Sequence, residues 1–104
     1  MKFKKEFTIR GFTINYFNDD YNVKCSLQES SSVEPHIWLG VHGANPIIMC
    51  KDAQKLGIPA LDNVGWQDYE LPEEVFINTR MHLTKRQARK LAVKLFKFGL
   101  FGKV

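Results

Sequence analysis

The chain has little cysteine, no long apolar run and, in its last 30 residues, no acidic residue. Cys25 and Cys50 are the only cysteines among 104 residues. That is too few for the disulfide framework of a small secreted domain, and the pair lacks C-x-x-C spacing, so two reduced, buried thiols are expected. No stretch approaches the roughly 18 apolar residues that a membrane span needs, and the start "MKFKKEFTIRGF" has lysines without a continuous apolar segment behind them. A cytoplasmic protein with no membrane partner is the expectation.

The backbone devices of common enzymes are missing as well. There is no G-x-x-x-x-G-K-[ST], no G-x-G-x-x-G, no H-E-x-x-H and no G-x-S-x-G, so phosphate-loop, dinucleotide, zincin and hydrolase-elbow chemistry have no support. His36, His42 and Cys50 do not have the spacing of a metal site, and Cys25 could act with a histidine only if the fold brought them together. Asp19 and Asp20 fall in an apparent turn, where aspartates bond to the backbone more often than they serve as an acid and base pair. A non-enzymatic protein with no cofactor and no metal is expected.

What is present is an ordinary globular composition, 44% hydrophobic, 25% charged and 12% aromatic. It is enough apolar material to build a core, and the length suits one domain over residues 1–104. The net charge of +4 is unevenly spread. All 11 acidic residues precede Val75, whereas Arg80, Lys85, Arg86, Arg89, Lys90, Lys94, Lys97 and Lys103 follow it. An acidic-leaning body with a basic end points to an anionic partner.

Alternation at period two marks strands in "EFTIRGFTINYFN", broken at Arg10-Gly11, and again from Val23 to Gln28, with Val23, Cys25 and Leu27 on the inner side and Lys24, Ser26 and Gln28 on the outer. "HIWLGV" suits an inner strand at the centre of the sheet. In "ANPIIMCKDAQKLG" Asn45 could cap a helix that Pro46 opens and Gly57 stops, although "IIMC" reads equally well as a strand. Residues 57–74 read as an irregular connection with a short strand around Trp66 to Leu71, and "VFINTRMHL" as the last strand.

Thr84, with Gln87 three residues on, fits a capping box for a C-terminal helix. Ala88, Leu91, Ala92, Leu95, Phe96, Phe98 and Gly99 share one arc of that helix, and Arg86, Arg89, Lys90, Lys94 and Lys97 the other. The expected fold is α+β, an antiparallel sheet of four to five strands with this amphipathic helix packed on one face. Lys85 and Arg86 oppose the helix dipole in the first turn, and no glutamate four residues away relieves the crowding. A solvated helix face explains the charges; an anion-binding face explains them equally well. Lys85, Arg86, Arg89, Lys90, Lys94 and Lys97 are therefore the candidate residues for binding a protein partner or nucleic acid. No helix-turn-helix, zinc finger or RNP-like segment is visible to read a base sequence.

The succession "CSLQESSSVEPHIWLGV", "ANPIIM", "GWQDYELPEEV" and "TRMHLTKRQ" resembles a family of small proteins encoded in bacteriophages and prophages. Its members combine an S-L-Q-E-S-S-like segment, an I-W-L-G-like strand and an R-M-H-L-[ST]-R-E-Q-like helix start. The resemblance runs from residue 25 to about 100, through Ser26 to Ser31, Ile37 to Gly40, Asn45 to Met49, Gly65 with Trp66, and Arg80 to Gln87. No activity is assigned to that family, so no catalytic role carries over. Relatives read R-E-Q where this chain has Lys85-Arg86-Gln87, and end in an acidic tail where it has "GLFGKV", which makes the basic helix face a departure from the family.

A phage-type origin implies action in a bacterial host cytoplasm, by binding a host protein or nucleoprotein complex. The leading expectation is an inhibitor of a nucleic-acid-handling defence complex, such as a CRISPR effector, in the manner of anti-CRISPR proteins. A nucleic-acid-binding accessory protein using the basic helix is the alternative, and a structural or assembly factor a third.

Overall fold

The computed structural model describes residues 1–104 and divides them into two compact units, Met1–Gly43 with Thr79–Val104, and Ala44–Asn78. In the first unit, β1 (Lys4–Phe7), β2 (Thr13–Asn18), β3 (Lys24–Glu29), β4 (His36–Val41) and, after the second unit, a strand at Arg80–Thr84 form a five-stranded sheet. Every neighbouring pair is antiparallel. The second unit holds β5 (Ile47–Met49), α1 (Cys50–Lys55) and β6 (Trp66–Asp68), so the strand at Arg80–Thr84 is β7. The large sheet runs in the order β1-β2-β3-β4-β7, followed by α2 (Lys85–Phe101). The α+β architecture expected from the alternation pattern is the one present.

Local chemistry explains the joints. Between β1 and β2, Gly11 adopts φ 85° and Thr8 closes the loop by accepting from the Phe12 N–H, a conformation that side-chain-bearing residues resist. Between β2 and β3, Asp19 Oδ1 accepts from the N–H groups of Tyr21 and Val23, both at 2.9 Å. The Asp19-Asp20 turn is thus a backbone-bonding device. "HIWLGV" is paired on both sides, as an inner strand should be, but the middle position belongs to β3.

The second unit settles the open choice at "IIMC" in favour of strand for its first three residues, and contains the short strand expected around Trp66. Residues 47–49 are strand, paired with β6, and the helix begins only at Cys50, with Met49 at its N-cap and no side-chain cap. Asn45 and Pro46 do not open it. Pairing with β6 gives the Ile47–Met49 backbone an alternative to the helix, and β-branched isoleucines favour it. Gln67 is buried and satisfied, donating to the Pro59 carbonyl and accepting from the Leu61 N–H, both at 3.0 Å. The final strand is also shorter than "VFINTRMHL", since residues 75–79 carry no strand.

The helix α2 starts as expected. Thr84 Oγ1 accepts from the Gln87 N–H at 3.1 Å and Gln87 Oε1 accepts from the Thr84 N–H at 3.0 Å, completing the capping box. It ends at Gly102 in the left-handed conformation, whose N–H returns to the Phe98 carbonyl. Its apolar arc is less covered than its periodicity suggests. Ala88 and Leu91 are half-buried, but Ala92 is exposed, and Leu95, Phe96 and Phe98 are 57%, 70% and 53% exposed. The first turns line a groove with residues of the sheet, and the side chains of the last turns are mostly exposed.

Candidate functional site

Register divides the sheet into two chemically different faces. Cys25 and Leu27 of β3, Ile37 and Leu39 of β4 and Leu83 of β7 share the face toward α2. On the other face Tyr16 pairs with Ser26, Gln28 with Trp38, Trp38 with His82 and Gly40 with Arg80. This second face carries mainly aromatic and hydrogen-bonding residues, with Ile14 its one buried aliphatic side chain.

Its centre is Arg80. Gly40, directly opposite on β4, has φ 152°, and a Cβ there would lie 2.6 Å from the Thr79 carbonyl oxygen. The absent side chain leaves a lane over β4, through which Arg80 reaches β3. There its Nη1 donates to Gln28 Oε1 at 2.7 Å and to Ser26 Oγ at 3.2 Å, while its guanidinium lies 5.7 Å from the Trp38 ring. The ion pairs of the structure are Lys4 with Glu6 and Lys55 with Asp52, so no carboxylate neutralises Arg80. A half-buried guanidinium is thereby fixed by neutral acceptors through one nitrogen, with its Nε and Nη2 donors still available.

The network continues to His42. Ser26 Oγ accepts from Arg80 and lies 3.1 Å from His42 Nδ1, where a neutral imidazole can accept the Ser26 hydroxyl proton. Burial, then the charges of Lys24 and Arg80, hold the His42 pKa below its ordinary value of 6.5. Ser26 is 0% exposed, and no buried side-chain polar atom lacks a partner.

Aromatic rings flank this cation. Trp38 and His82 stack at 4.1 Å, and His82 and His36 at 4.6 Å, forming a file of three rings. Serines hold its histidines: His82 Nε2 lies 2.9 Å from Ser30 Oγ, and His36 Nδ1 is 2.8 Å from the Glu34 carbonyl and 3.0 Å from Ser32 Oγ. Tyr16 sits edge-on to His42 and carries Lys24 Nζ 4.2 Å above its ring. A cleft of about 630 Å³, lined by Arg10, Phe12, Tyr16, Gln28 and Trp38 among others, opens beside the file. A fixed unpaired cation, further positive charge and planar rings in one place can hold an anionic ligand that carries flat groups.

The candidates singled out in the sequence lie elsewhere. Lys85, Arg86, Arg89, Lys90, Lys94 and Lys97 are all exposed along α2 and make no ion pair. Cys25 and Cys50 are free and buried, and no group of three His, Cys, Asp or Glu side chains is assembled that could hold a metal ion. No helix is long and apolar enough to cross a membrane.

What the residue-level reading missed is the sheet face. Ser26, expected on an outer side, is buried by its neighbours. The signal available was the set of polar and aromatic positions Gln28, Ser30, Trp38, Arg80 and His82, with Gly40, within the quoted motifs, which converge here. Compared with known proteins, the chain matches no family model, no curated protein and no solved structure.

Proposed function

We propose that this chain is a non-enzymatic binding protein that takes single-stranded nucleic acid on the polar face of its sheet. The observation that carries the reading is Arg80, pre-positioned by Ser26 and Gln28, unpaired with any carboxylate and set against the Trp38–His82–His36 rings. A phosphate accepts from the free guanidinium donors, Lys24 and Arg10 add sequence-independent attraction, and bases stack against the ends of the ring file and on Tyr16. Single strands fit better than duplex because only unstacked bases offer their faces to aromatic side chains.

A second reading follows from α2. Its exposed cations have no acidic partner, and such a surface suits an acidic protein face. In this reading a phage-type protein blocks a bacterial nucleic-acid-handling complex, such as a CRISPR effector, by direct contact through Arg86, Arg89, Lys90 and Lys94.

One titration separates the two. Fluorescence anisotropy with labelled random single- and double-stranded oligonucleotides, at several salt concentrations, is measured for wild type, Arg80→Gln and an Arg86/Arg89/Lys90/Lys94→Gln variant. Salt-sensitive single-strand binding that Arg80→Gln weakens by about tenfold or more supports the sheet face. Absence of binding by the folded wild type rejects it and turns the search to defence complexes.

A further inference from the structure

The polar sheet face continues past Arg80 into a second cationic cleft. Register places Lys4, Tyr16, Ser26, Gly40 and Arg80 in one row across all five strands. The row to one side holds Gln28, Trp38 and His82. The row to the other side pairs Asn18 with Lys24, and His42 follows, donating its N–H to the Lys24 carbonyl. Arg80 therefore stands at a boundary, with planar rings on one side of its row and lysines on the other.

The lysine side is a cleft of about 580 Å³ at the ends of β1, β2 and β3, where Lys2, Lys4 and Lys24 meet Asn18 and Asn22. Glu6 is its one acidic residue and is answered by Lys4 at 3.2 Å, whereas Lys2 and Lys24 make no ion pair. Asn22, at φ 63° in the turn, accepts from Asn18 Nδ2 at 2.7 Å, which leaves its own amide N–H groups as donors. Asp19 of the same turn is occupied by the N–H groups of Tyr21 and Val23.

Contacts join this cleft to Arg80. Lys24 Nζ lies 4.2 Å over the Tyr16 ring, Tyr16 sits edge-on to His42 at 5.0 Å, and His42 Nδ1 is 3.1 Å from the Ser26 Oγ that accepts from Arg80. After burial, the charges of Lys24 and Arg80 both lower the His42 pKa, so the imidazole lies within reach of the two cations. From β1 to β3, where the Arg80 guanidinium is anchored, is two strand spacings, about 10 Å. One phosphate cannot touch both ends of that path, but a chain of phosphates can.

Taking the sheet face as the single-strand site proposed above, on which this rests, we infer that the lysine cleft is a second phosphate subsite. It takes the phosphate adjacent to the one on Arg80, so the backbone of the strand runs over β3 and β2 toward β1 and leaves a base against the rings.

The test is fluorescence anisotropy of the full chain with a labelled short oligothymidylate at several salt concentrations. Wild type is compared with Arg80→Gln, Lys4/Lys24→Gln and Lys51/Lys103→Gln, the last removing the same charge from α1 and from beyond the end of α2. The expected result is a salt slope shallower by about 0.7 in Lys4/Lys24→Gln, the loss of one single-strand phosphate contact, and an unchanged slope in Lys51/Lys103→Gln. NMR of the wild type needs no variant: the side-chain amide resonances of Asn18 and Asn22 are expected to shift when the oligothymidylate is added. Weakened binding in Arg80→Gln, with a Lys4/Lys24→Gln slope no different from that of Lys51/Lys103→Gln or with unmoved Asn18 and Asn22 amides, overturns the second subsite and leaves Arg80 standing. Weakened binding in Lys4/Lys24→Gln but not in Arg80→Gln overturns the continuous path, because the anion then occupies the cleft alone. Absence of binding by the folded wild type overturns this inference together with the sheet-face reading.

Discussion

Two cationic surfaces lie on the larger unit, and they differ in how much of the binding entropy has been removed beforehand. On α2, six lysines and arginines extend into solvent with no hydrogen bond or ion pair to hold them. Each must give up rotamer freedom on meeting an anion, at about 1.5 to 2 kcal/mol per side chain. Arg80 has already been ordered by folding, through Ser26, Gln28 and the Trp38 ring. Number of charges and quality of placement are different properties, and the larger cluster is the less organised of the two.

The comparison can be broken at its stronger side first. Arg80→Gln is expected to lower single-strand affinity by about ten- to a hundredfold, the worth of charge-assisted hydrogen bonds of roughly 1.5 to 3 kcal/mol, while α2 stays intact. An affinity change of less than about twofold in the anisotropy titration would remove Arg80 from the site. Trp38→Ala should cost a similar or smaller amount, about 1 to 3 kcal/mol of stacking, and leave the salt slope unchanged, since no charge is removed.

Gly40→Ala tests the lane that admits Arg80. The clash with the Thr79 carbonyl and the positive φ predict a loss of about 1 to 3 kcal/mol in denaturant unfolding, together with weaker binding. Normal stability would mean that the strand shifts to accept a side chain. On α2, Thr84→Ala should cost about 0.5 to 2 kcal/mol by removing one side of the capping box, with no effect on affinity.

The smallest effect expected is that of pH. His42 titrates below 6.5 in the folded chain, so in the window between that lowered value and 6.5 the unfolded chain holds more protons. Stability therefore rises with pH through that window and is level above it, and His42→Gln removes this slope. A bound phosphate would raise the His42 pKa by opposing Lys24 and Arg80. Histidine resonances followed by NMR with and without oligonucleotide would reveal that rise, and an unmoved His42 would place the anion elsewhere.

Much of this architecture was legible before any coordinates. Period-two alternation from Phe12 to Tyr16 and from Cys25 to Gln28 marked β2 and β3, because side chains on a strand have only two sides to occupy. It misplaced β1, which lies at Lys4–Phe7 and leaves Ile9 fully exposed in the loop that follows. Thr84 with Gln87 marked the start of α2, because capping involves neighbours in sequence. The helix arc of Arg86, Arg89, Lys90, Lys94 and Lys97 was equally visible, since 3.6 residues per turn place them together without help from the rest of the chain. Where two local preferences were balanced, as in "IIMC", pairing with β6 decided for strand over Ile47–Met49, and the helix began at Cys50.

The sequence by itself determined what nearest neighbours along the chain can determine: strand alternation, caps, turns and the sign of the charge on α2. Only the tertiary structure decided that Arg80 crosses Gly40 to reach Ser26, 54 residues away, that His82 stands between His36 and Trp38, and that the outer arc of α2 was not the better-organised cation site. Those contacts depend on the register of strands distant in sequence. Register is set by the packing of whole faces, and no local pattern of residues encodes it.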